Sequence, residues 1–319
     1  MKKLLAVLLA LCVIGGVAFA EDAKPALTFG AYGDITATAI DNSSKTGYDV
    51  YTEAYFNYAA KNFGFSATAI GSAGTAGVTA DTWDMFGALR NYSFYYTIND
   101  GMVKILAGRL RETGSVRLTS VIDGNGFSTR IANVATGVAV VAKPVTGLVV
   151  SAFVPFAGNA VGTDYAKTNF GVAYLVPDVA NIVGGYLLGS KELWVGADVK
   201  AVKDLTLKVG YKNASSTNYI YATAGKAIDK LTVNLDADVV LASALGFGVQ
   251  VQGEYAVSDA LSAGAKVKFD NGDSWYKNKG VEVIPYAQFN FGASDIKVSF
   301  DYNQGKNTWS LPVEFELNY

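Results

Sequence analysis

The stretch LPVEFELNY, Leu311 to Tyr319, ends the chain with apolar and polar side chains in unbroken alternation. Successive side chains of an extended strand point to opposite faces. Leu311, Val313, Phe315, Leu317 and Tyr319 therefore share one face, and Pro312, Glu314, Glu316 and Asn318 share the other. Such a strand needs a partner on each edge and an apolar medium on one face. The start of the chain indicates which medium.

Lys2 and Lys3, the apolar run Leu4 to Val17 and the small-residue site Ala18-Phe19-Ala20 have the layout of a secretory signal. Cleavage is expected after Ala20, leaving residues 21–319 as a single domain. Cys12 is the only cysteine and lies inside this signal. A lipid anchor on Cys12 is disfavoured, because bulky Leu11 precedes it and Val13-Ile14 continue the apolar run. The exported chain would then have no disulfide and no cysteine metal site. Histidine is absent, and without Lys2 and Lys3 the chain carries 24 basic against 28 acidic side chains. No polybasic face for nucleic acid exists in that balance.

Between its ends the chain repeats one unit, a strand with one apolar face, a tight polar turn and a second such strand. Glu192 to Asn213 is the clearest copy. Leu193, Val195, Ala197 and Val199 face one way, with Glu192, Asp198 and Lys200 opposite. After a turn at Val202-Lys203-Asp204, Leu205, Leu207, Val209 and Tyr211 resume the apolar face, with Lys208 and Lys212 behind them. Leu231 to Val239, Phe247 to Tyr255, Val267-Phe269 and Ile296 to Tyr302 follow the same rule. In water so large an apolar face needs a covering sheet. In lipid it needs none, provided the sheet closes on itself. Charges this dense on the other face suit a wet lumen. The uncharged stretch 144–163 has the length of a membrane helix, but Pro144 and Pro155 divide it into a turn and a strand.

Eight tight turns are expected near Lys61-Asn62, Asn99-Asp100-Gly101, Lys143-Pro144, Pro177-Asp178, Lys203-Asp204, Asp229-Lys230, Ser258-Asp259 and Ser294-Asp295. Longer polar loops are expected at 41–47, 71–82, 113–128 and 271–279. With both termini on one side, eight turns imply an all-β, antiparallel, up-and-down transmembrane β-barrel of 18 strands. Merging one weak hairpin would give 16. Tyrosines and phenylalanines near strand ends, such as Tyr51, Tyr92, Phe94, Tyr255, Phe289 and Phe291, fit aromatic girdles at the headgroups.

The signal, the hairpin repeat, the cysteine-free mature chain and the aromatic terminal strand together resemble bacterial outer-membrane porins of the general-diffusion type. The resemblance implies placement among outer-membrane lipids and lipopolysaccharide in a diderm bacterium, with homotrimer formation. It also implies that Phe315, Leu317 and Tyr319 form the signal read by the barrel assembly machinery. In such porins a third loop folds inward and narrows the barrel. The five arginines of the chain, Arg90, Arg109, Arg111, Arg117 and Arg130, flank or lie in segment 113–128, together with Glu112 and Asp123. By resemblance these seven residues are the candidate constriction, where opposed guanidinium and carboxylate rows would set up a transverse field. The competing reading makes the arginines exposed loop charges or lipopolysaccharide ligands. If Leu106 and Leu110 face lipid, Arg109 and Arg111 point inward, but Val103, Ile105 and Ala107 do so too unless Gly108 marks a bulge.

Outer-membrane barrel enzymes depend on histidine as base or orienter, and this chain has none. No Ser-His-Asp set and no histidine metal site can form. No cofactor is expected. The function that follows is passive diffusion of small hydrophilic solutes and ions through a charged lumen. The alternative is a non-conducting surface barrel, adhesive or structural, that binds through its outer loops.

Overall fold

Every strand of the computed structural model has two hydrogen-bonded neighbours, and the ring is closed by β1 (Ala26–Asp41) pairing with both β2 (Gly47–Ala59) and β19 (Thr308–Asn318). The structure describes residues 25–42, 46–74, 89–110, 135–156, 165–273 and 279–318. The expected signal 1–20, segment 113–128 and Tyr319 lie outside these residues.

Around the ring the order follows the sequence. β3 (Phe63–Gly74), β4 (Leu89–Ile98), β5 (Val103–Leu110), β6 (Ala135–Val145) and β7 (Leu148–Pro155) come first. β8 (Asn169–Val176), β9 (Ala180–Leu187), β10 (Glu192–Val199), β11 (Leu205–Ala214) and β12 (Thr217–Ile228) follow. β13 (Leu231–Leu241), β14 (Leu245–Ser258), β15 (Leu261–Asp270) and β16 (Gly280–Phe291) lead to β17 (Ser294–Ser299) and β18 (Asp301–Asn303). All pairings are antiparallel, as up-and-down connection requires.

β17 and β18 both pair with β16 and with β19 in one continuous register, so they are halves of a single stave and the barrel has 18 strands, not 16. The break falls at Phe300 for a chemical reason. Phe300 N–H donates to the Pro285 carbonyl at 3.0 Å, but Pro285 has no N–H to return the bond. Pro312 on β19, beside the Val298–Val313 pair, also lacks a donor.

Eight short connections lie on the rim that bears both termini. Several turn on a left-handed residue: Asn99, Asp100 and Gly101 in one, and Asp178, Asp204 and Asp229 in three others. Asn and Asp tolerate this conformation better than other side chains, which is why these turns were legible. Two expected turns move. Lys143-Pro144 stays within β6 beside a register shift, and the chain reverses after it at Gly147, φ +81°. Ser294-Asp295 opens β17, and the reversal lies at Gly292, φ +70°. In both cases a glycine two or three residues away takes a left-handed backbone angle that costs glycine less than any other residue.

The two faces divide as alternation predicts. Leu193, Val195, Val209, Val233, Leu235, Phe247, Val251, Val267, Val298 and Phe300 are all exposed on the outer wall. On the rim of the termini, Phe29, Phe56, Phe65 and Phe94 form an outer ladder across β1 to β4, with ring centres 6.2, 5.1 and 4.6 Å apart in turn. An apolar surface running round the whole barrel is stable only where lipid covers it. Val251→Arg on the outer wall of β14 should therefore cost ~2–4 kcal/mol, whereas Thr232→Arg on the lumen side of β13 should be nearly neutral. Equilibrium unfolding in lipid vesicles checks both.

Candidate functional site: the inner wall

The inward side chains form two unlike arcs. On β10 to β19 they are polar and arranged in rows, because direct cross-strand partners share a face and a level. One row runs Asp198, Lys208, Thr223, Asp236, Gln250, Lys268, Glu282 and Asn303 on eight successive staves. The charged members of this row alternate in sign. Gln250 Nε2 donates to Asp236 at 3.0 Å, the Thr223 hydroxyl donates to the same carboxylate, and Lys268 pairs with Glu282 at 3.2 Å. Lys212–Glu192 at 3.2 Å and Lys297–Glu314 at 2.9 Å add two further wall pairs. Ion pairing of this kind holds the side chains along the wall.

A surplus of carboxylates gathers where β17, β19, β1 and β2 meet. Asp295 is the cross-strand partner of Glu316, Glu316 of Asp34 and Glu314 of Thr36. Glu53 faces Tyr32 and accepts a hydrogen bond from Tyr51. Lys297 lies among these acids, bonded to Glu314.

The opposite arc departs from expectation. On β5 to β10 the inward residues include Leu106, Leu110, Ala139, Val141, Phe153, Val183 and Trp194, packed as one buried cluster. The outer face of the same strands is apolar too, with Val140, Val150, Phe170, Val172 and Ile182 exposed. Leu106 and Leu110 do not face lipid. The run of apolar residues without alternation, as in Val138 to Ala142 and Leu148 to Val154, was the available signal for a wall apolar on both faces.

This parity relocates Arg109. It lies between Tyr92 on β4 and Thr136 on β6, on the face of Ile105 and opposite Leu106 and Leu110. Arg109 therefore belongs to the outer wall at the rim away from the termini. No bulge intervenes at Gly108, which keeps its partners Ser93 and Gly137 in register despite φ +145°. Arg90 lies in β4, near the end of that strand at the same rim. Arg111, Glu112, Arg117, Asp123 and Arg130 fall outside the described residues. Phe315 and Leu317 face outward on β19, while Glu314 and Glu316 face the lumen. Among the described residues no cluster of histidine, cysteine and carboxylates could hold a metal ion.

No family model and no curated protein matches the sequence. Solved structures do match the fold. Pseudomonas aeruginosa OpdQ superposes with TM-score 0.62 at 8% identity, covering 94% of this chain and 99% of that one. P. aeruginosa OccD3 (OpdP) gives 0.58 at 13%, covering 95% and 94%. A mutant of the Rh. blastica porin gives 0.55 at 15%, covering 92% and 100%. At these identities the likeness establishes a shared barrel architecture.

Within the polar arc, Tyr286 has the most closely tied hydroxyl. It accepts from Gln252 Nε2 at 2.9 Å and donates to Glu254 at 2.7 Å. Tyr286→Phe should destabilise the barrel by about 1–2 kcal/mol, since one lost bond involves a carboxylate. Denaturant unfolding of the variant measures it.

Proposed function

We propose that this chain is a passive diffusion channel of the bacterial outer membrane for small hydrophilic solutes and ions. One observation carries the reading: a closed barrel of 18 strands has an apolar outer wall and an inner wall that is ionic along the arc of β10 to β19. Barrels of this strand number enclose an aqueous channel when nothing plugs them. The porins and Occ channels that share the fold support the same reading. Passage requires no cofactor, and no bond is made or broken.

The signal of residues 1–20, cleaved near Ala20, delivers residues 21–319 to the outer membrane. The rim of the termini then faces the periplasm, and the rim of Arg109 faces outward. Segment 113–128, with Arg111, Glu112, Arg117, Asp123 and Arg130 in or beside it, narrows the bore. Arg109, outside the lumen, is placed to meet lipopolysaccharide phosphates. Phe315, Leu317 and Tyr319 serve the assembly machinery, and three copies associate in the membrane.

Single-channel recording on refolded residues 21–319 in a planar bilayer tests the channel reading. Stable steps that scale with salt support it. A heat-modifiable barrel that inserts but never conducts points instead to a surface-binding role. Deleting 113–128 should raise the step size, and an unchanged step would place that segment outside the bore.

Among the described inward residues, carboxylates outnumber ammonium groups around Asp34, Asp295, Glu314 and Glu316. Glu314→Gln with Glu316→Gln should therefore lower preference for cations, read as a smaller reversal potential under a salt gradient.

A further inference from the structure

Five inward aromatic rings share one arrangement. Tyr55 lies against Gly30, Tyr95 against Gly64, Phe153 against Gly137, Trp194 against Gly185 and Tyr286 against Gly264. In each pair the ring belongs to the later strand and the glycine to the strand before it. Four pairs are direct cross-strand partners, and Phe153 sits diagonally from Gly137. At Gly30, Gly64 and Gly185 the nearest atoms to an added methyl group all belong to the aromatic side chain, whereas at Gly137 and Gly264 a backbone carbonyl, of Val154 and Gly253, is met before the ring. The rings thus occupy the space a side chain would fill, lying along the wall instead of across the lumen.

Two further observations tie the rings down. Tyr286 crosses the whole of β15 above Gly264 to reach Gln252 and Glu254 on β14. Lys104 Nζ lies 3.8 Å from the centre of the Tyr95 ring, so the ring also holds a cation close to the wall. Trp194 is fully buried and Tyr286 is 7% exposed, although both belong to the inner wall.

We propose that these wall glycines set the bore: each is a positioning residue that keeps an aromatic ring flat and out of the path of solutes. The ring must lean over a neighbouring strand to lie flat, and only a strand without a side chain at that point admits it. At Gly30, Gly64 and Gly185 a methyl group turns the ring into the lumen. The proposal rests on the channel reading above and adds what determines its size limit.

The test uses the whole barrel in lipid, with two independent readouts. In a protein carrying Trp83→Phe, Trp275→Phe and Trp309→Phe, Trp194 is the remaining tryptophan. Gly185→Ala should then shift its emission to the red and raise its quenching by iodide. Gly30→Ala should lower single-channel conductance and reduce the largest polyethylene glycol that enters, because the methyl group there meets only the Tyr55 side chain. Tyr55→Ala should leave both readouts unchanged, because the flat ring lies outside the path, and Gly30→Ala should have no effect in the Tyr55→Ala background. That non-additivity separates ring placement from a general effect of alanine on the strand.

Unchanged Trp194 emission, or an equal effect of Gly30→Ala with and without the Tyr55 ring, would overturn the proposal. Should the alanine variants fail to assemble, Tyr286→Ala and Tyr55→Ala decide: an unchanged exclusion limit is expected, and a raised limit for either overturns the proposal. A protein that never conducts but shows the red shift refutes the channel reading and upholds the ring placement. A protein that conducts without the shift refutes the ring placement alone.

Discussion

Closure of the hydrogen-bonded ladder between β1 and β19 is the constraint on which everything else depends. Lipid offers no hydrogen bonds, so an open edge of this sheet would leave a row of unsatisfied N–H and C=O groups, each costing several kcal/mol. Thr38 to Tyr32 pair with Pro312 to Asn318 and remove that edge. Once the ring is closed, alternation assigns one face to lipid and the other to an enclosed space. The irregularities that remain are local and have chemical causes, such as the missing donors of Pro285 and Pro312 around Phe300.

The enclosed space is not uniform. One arc is a lattice of paired charges in register, from Asp198 through Lys208, Asp236 and Lys268 to Glu282. The other is a dry cluster centred on Phe153, Val183 and Trp194. Cross-strand partnership explains both. A carboxylate beside an ammonium is held at the wall by its neighbour, and an apolar side chain beside another buries itself against that neighbour. Glycines inserted between these residues let large rings do the same.

Much of the fold was legible because a strand in a membrane wall writes its environment with period two. Strands β10, β11, β13, β14, β15, β19 and the stave of β17 and β18 could be read residue by residue, since Val against Asp and Leu against Lys leave no doubt about facing. Turns with Asp or Asn in the left-handed region were equally plain. Reading failed where the physical cause of the pattern was absent. On β6 and β7 both faces are apolar, so no period marks the inside. At Lys143-Pro144 and Ser294-Asp295 polar residues drew the expected turn away from Gly147 and Gly292.

The site was less legible than the fold. The concentration of arginines drew attention to one region of sequence, but parity on β5 could be settled only by knowing that Leu106 and Leu110 belong to the inner cluster. That knowledge requires Phe153 and Trp194, which lie on other strands. The amino-acid order by itself determined the up-and-down barrel, the direction of its staves, the lipid-facing side of the polar half and the charged character of the lumen there, because each follows from local alternation and turn chemistry; the choice of 18 staves over 16 came from the pairing of β17 and β18. The tertiary structure alone decided which residues meet across staves, that Arg109 faces outward, that one wall is apolar on both sides, and that five rings rest on five glycines. Those are consequences of register between neighbouring staves, and register is a property of the closed sheet.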